Sequence, residues 1–125
     1  MPTIVIDLDG TLTLDDAAAS YSEKAPNPQV VAKLREYHAE GFSIAIYTAR
    51  NMRTYEKSLG SIVAKTVPMI TEWLQRHDIP YDELHVGKPW ADGEGFYVDD
   101  RAIRPDEFVR LSHGEILALT GPPLQ

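Results

Sequence analysis

The chain contains no cysteine, which removes disulfides, thiolate zinc sites and thiol nucleophiles together. It has no apolar run near the ~20 residues that a bilayer-spanning helix requires. No charged and apolar leader precedes the first strand-like residues, so no signal peptide is expected and the cytoplasm is the default compartment. Positive charge is scarce as well. With 12 Lys and Arg against 19 Asp and Glu, the net charge of -7 argues against nucleic acid or an anionic membrane as the main partner. Repeats, linkers and low-complexity segments are also missing. What is present is ordinary for a soluble domain, 43% hydrophobic and 25% charged over 125 residues, and supports one domain spanning 1–125.

The most informative stretch is Ile4-Val5-Ile6-Asp7-Leu8-Asp9-Gly10-Thr11. A β-branched run reads as a buried strand that ends in two carboxylates at i and i+2, on the same side of an extended chain. Gly10 then allows a sharp turn. Two acids so close repel, and an apolar strand beside them makes ionisation costlier. Either a cation is present or one acid holds a proton. A calcium loop fails on spacing: counted from Asp7, position five is Thr11 and position twelve is Ala18, where a bidentate Glu is needed.

Downstream, Asn27 caps a helix with Pro28 at its first position, Val30, Val31, Leu34 and His38 mark its inner face, and Gly41 stops it. Phe42–Thr48 reads as a second strand. A helix is expected from about Val67 to His77, with Ile70, Trp73, Leu74 and His77 on one side. Glu83–Val86 reads as a third strand and Phe96–Val98 as a fourth. Ser112 with Glu115 makes a capping box for a last helix, closed by Gly121-Pro122-Pro123. Apolar strands alternating with helices predict an α/β fold, a mostly parallel sheet covered on both faces. In such sheets ligands bind at the strands' C-terminal ends. All four predicted strands end in polar groups: Asp7 and Asp9, Thr48, Lys88, and Asp99 with Asp100. A hard-oxygen set without His or Cys favours magnesium over zinc. Arg50 and backbone N–H groups after Thr48 are suited to absorb the charge of a phosphate monoester. The balance fits phosphoryl transfer, with Asp9 protonated as a candidate acid and a carboxylate available as nucleophile.

These motifs, in order along residues 4–101, resemble the haloacid dehalogenase (HAD) superfamily of phosphohydrolases. More narrowly, Thr48-Ala49-Arg50-Asn51-Met52-Arg53-Thr54-Tyr55, Val86-Gly87-Lys88-Pro89-Trp90 and Phe96-Tyr97-Val98-Asp99-Asp100-Arg101-Ala102-Ile103 are similar to a bacterial group associated with capsular polysaccharide biosynthesis. The resemblance implies a Rossmann-like parallel sheet in the order 4-1-2-3. It implies Asp7 as nucleophile and Asp9 as the acid, then the base. Thr48 and Lys88 would hold the phosphoryl oxygens. Magnesium would be bound by the Asp7 carboxylate, the Asp9 carbonyl and Asp100, with Asp99 in support. Ala49, Arg50, Asn51 and Arg53 would flank the substrate.

The intervals, 38 residues between Asp9 and Thr48 and 39 between Thr48 and Lys88, leave no room for a cap domain. Loops 12–26 and 52–66, or a neighbouring subunit, would have to shield the site; a homo-oligomer stays open. Trp90, Arg101 and Arg104 stand between substrate contact and plain surface or edge roles. His38, His77, His85 and His113 share no ligand spacing and read as structural. The expected function is hydrolysis of a small polar phosphate monoester, a sugar or polyol phosphate of capsule assembly. The alternatives are a nucleotide or phosphoprotein phosphatase, a catalytically weak binding protein, and a receiver-like signalling module. Receivers, however, place the paired acids first and the phosphoacceptor Asp on a middle strand.

Overall fold

Residues Thr3–Ile6 form strand β1, Ser43–Thr48 β2 and Glu83–Val86 β3 in the computed structural model, which describes residues 2–16 and 18–121. The three strands run parallel in the order β1-β2-β3. The register sets Ile4 beside Ile44, and Ile46 between Ile6 and Leu84. These side chains lie on one sheet face, and Ile6, Ile44 and Ile46 are buried. Val5, Glu83 and His85 point to the other face and are exposed, Val5 to 65%. Both crossovers step in the same direction, so right-handed connections place their helices on the Ile44–Ile46 face.

Helix α1 (Pro28–Ala39) begins as expected: the Asn27 side chain accepts from the Val30 N–H, with Pro28 at the first position. Its buried face is Val30, Val31, Leu34 and Tyr37, so Tyr37 takes the place predicted for His38, which is exposed. Two helices join β2 to β3. Helix α2 (Leu59–Lys65) starts at a Ser58 cap inside the stretch read as loop 52–66. Helix α3 (Val67–Arg76) follows and buries Ile70, Trp73 and Leu74. Helix α1 is tied to the end of α3 by Arg35, which donates to the His77 and Asp78 carbonyls.

The chain divides into two compact units, Met1–Trp90 and Ala91–Gln125. The second holds α4 (Pro105–Arg110) and α5 (His113–Thr120). The Ser112–Glu115 capping box is present, and Gly121 ends α5 with φ 79°; Pro122 and Pro123 lie outside the described residues. The predicted fourth strand does not form. Phe96–Val98 has no ladder partner among the described residues, and Phe96 and Val98 are 80% and 87% exposed. The sheet is therefore three-stranded rather than the full 4-1-2-3 arrangement. Three apolar residues give strong strand propensity, but a strand also needs an edge to pair with. No cap domain is seen among the described residues, and no helix there is long and apolar enough to cross a membrane.

Candidate active site

At the end of β1 the chain enters one wide turn, Leu8–Leu12, closed by Thr13 N–H donating to the Leu8 carbonyl at 3.0 Å. Gly10 sits at φ 77° within it, and its N–H donates to the Thr13 hydroxyl. Leu8 and Leu12 are fully buried, which anchors the turn from below. Asp7 and Asp9 are thus held above the C-terminal edge of the sheet, with a buried leucine between them.

The strand ends bring their partners to the same edge. Thr48 closes β2; its hydroxyl accepts the Arg50 N–H at 3.0 Å, and its carbonyl accepts the Lys88 N–H at 3.2 Å. The Thr48 hydroxyl keeps its own proton to donate. Gly87, at φ 84°, turns the chain between β3 and Lys88. Lys88 Nζ then lies 3.8 Å from an Asp7 carboxylate oxygen. Burial pushes the Asp7 carboxyl above the usual carboxylate range, and the Asp9 charge adds to this. Lys88, the Leu8 backbone N–H and Arg50 pull it down without cancelling the rise.

Asp9 has different surroundings. Arg50 Nε donates to one carboxylate oxygen at 3.1 Å and its terminal nitrogen to the other at 2.7 Å. Lys24 Nζ approaches the same carboxylate at 3.4 Å. The Arg50 side chain is only 2% exposed and lies 4.2 Å from the Tyr21 ring centre, a cation–π stack. Tyr21 also faces Lys24 at 5.0 Å. This segment is tied down: Trp73 Nε1 donates to the Lys24 carbonyl at 2.8 Å and Arg76 to the Ser22 carbonyl at 3.1 Å.

Residues 1–90 thus gather Asp7, Asp9, Thr48, Arg50 and Lys88 at one rim and add Tyr21 and Lys24, which no spacing in the sequence singles out. Among the described contacts three cations, Lys24, Arg50 and Lys88, meet two carboxylates there. The other expected flanking residues do different things. The Asn51 side chain donates to the Thr66 hydroxyl at 2.7 Å, and Arg53 is exposed. Ala49 follows β2, and Trp90 ends the first unit 54% exposed. Asp99 and Asp100 belong to the second unit, in an exposed turn where the Asp99 carboxylate accepts the Arg101 N–H. There Arg101 reaches the Thr120 carbonyl, and the Arg104 N–H donates to Glu107. Among the described residues no group of three or more His, Asp or Glu is assembled as a metal site.

The chain as a whole is similar to a crystal structure of a target protein from Vibrio cholerae. It superposes with a TM-score of 0.93 at 52% identity, covering 96% of this chain and 97% of that one. The chain belongs to one family with that protein. A likeness of fold alone links it to the structure of a Pnkp1/Rnl/Hen1 complex, at TM-score 0.50 and 23% identity. That match covers 88% of this chain but 34% of the other, so this chain spans about a third of it. No family model matches the sequence. No curated protein matches it either.

Proposed function

We propose that this chain is a magnesium-dependent phosphatase of the HAD superfamily. It hydrolyses a phosphate monoester of a small polar metabolite, a sugar or polyol phosphate of capsule or surface polysaccharide assembly, in the cytoplasm. The observation that carries this reading is the convergence of Asp7, Asp9, Thr48 and Lys88, from three strand ends, on one rim beside Arg50 and Lys24.

Asp7, a half-exposed carboxylate beside Lys88, attacks phosphorus, and Thr48 and Lys88 hold the phosphoryl oxygens. Asp9 serves the leaving oxygen and then the hydrolytic water. A divalent cation fits these residues: Asp7 is a hard oxygen donor whose ionisation is opposed by burial and by Asp9, and a cation beside it offsets both. Asp7, the Asp9 carbonyl and Asp100 would hold it, with Asp99 in support, and when bound it supplies charge neutralisation at the phosphoryl group.

The functional test is kcat/KM over sugar, polyol, nucleotide and phosphoprotein substrates with magnesium. Preference for a sugar or polyol phosphate supports the proposal. Preference for nucleotides or phosphoproteins replaces the substrate class.

A further inference from the structure

Arg50 was the natural candidate for a phosphate contact, yet its guanidinium is turned inward. Both of its carboxylate-directed donors go to Asp9, one to each oxygen. Its side chain is nearly fully buried and is stacked on Tyr21, and its own N–H is fixed by Thr48. A two-pronged guanidinium–carboxylate pair fixes orientation as well as charge.

We propose that Arg50 is a positioning residue, which holds the Asp9 carboxylate in the orientation needed to take a proton from water in the second half of the reaction. This rests on the phosphatase reading above. In that half, water oxygen bonds to phosphorus and the bond from phosphorus to the Asp7 oxygen breaks, its electron pair returning to Asp7 as carboxylate. The proton from water passes to Asp9, and inorganic phosphate leaves. Tyr21 acts through Arg50 by limiting where the guanidinium can turn.

The test is acid-quench trapping of phosphoenzyme, together with kcat, KM and inhibition by inorganic phosphate, in wild type, Arg50→Gln and Arg50→Lys. Slowing the second step lowers kcat about 10²-fold. KM should fall with it, the trapped phosphoenzyme should rise, and inhibition by phosphate should stay within about twofold of wild type. The Arg50→Lys variant keeps the charge without the two-pronged hold and should show the same pattern if Arg50→Gln does not fold. A raised KM and weakened phosphate inhibition at preserved kcat would make Arg50 a substrate ligand and overturn the inference alone. Lost activity that follows lost fold, without more trapped phosphoenzyme, overturns it too. A wild-type protein with no turnover on any substrate overturns the phosphatase reading, and the inference with it.

Discussion

Asp7 and Asp9 are two residues apart, but the fold treats them differently. Asp7 is pushed toward its neutral form by burial, while Asp9 lies between Arg50 and Lys24. A carboxyl whose folded pKa is raised binds its proton more tightly in the native state. Its contribution to stability is therefore full below the ordinary carboxylate pKa and is lost as pH rises through the raised value. Asp7→Asn should melt higher than wild type at pH 7, with the gap closing near pH 3, in thermal unfolding followed by circular dichroism without metal. Gly87 has a second residue-scale role. Its φ of 84° suits glycine, and an added Cβ would come within 2.5 Å of the Leu59 side chain. Gly87→Ala should cost roughly 1–2 kcal/mol in denaturant unfolding and reduce turnover, because Lys88 is the next residue.

At the scale of elements, local chemistry was the legible part. Asn27-Pro28 and the Ser112–Glu115 box mark the starts of α1 and α5, and the short apolar runs around Ile4–Ile6 and Ile44–Ile46 mark β1 and β2. The inner face of α1 was misjudged by one residue, because Tyr37 and His38 both fall near the stripe and packing against Phe42 selects the aromatic ring. Helix α2 is not legible in the sequence because it is only seven residues long, too few for a period to show. The Lys24 contact was not legible, since it depends on Trp73 reaching across 49 residues to a backbone carbonyl. Trp73→Phe removes that donor from a buried position. We expect a loss of about 1–3 kcal/mol for the unpaired carbonyl and lost volume, measured by urea unfolding. A fall in turnover larger than the lost stability explains would mark the 20–24 segment as part of the site.

At the scale of the whole molecule, Asp7, Asp9, Thr48 and Lys88, expected at strand ends, meet at one rim, whereas Asp99 and Asp100 lie in the second unit and Lys24 and Tyr21 join the rim without a signal in the sequence. Phe96–Val98 shows the limit of propensity, which names a strand without naming its partner. The proposed magnesium requirement belongs to this scale, since its expected ligands are far apart in the sequence. Activity should vanish on chelation and return with magnesium. Asp100→Ala should shift the magnesium titration to higher concentration, whereas a titration matching wild type would remove Asp100 from the metal set. The central claim is that the Asp7 carboxylate is the nucleophile toward a phosphate monoester. The direct measurement is magnesium-supported phosphate release from a sugar or polyol phosphate by wild-type protein and by folded Asp7→Asn. The wild type should turn over steadily and Asp7→Asn should release no phosphate above background, whereas wild-type rates from the variant would rule out Asp7 as the nucleophile.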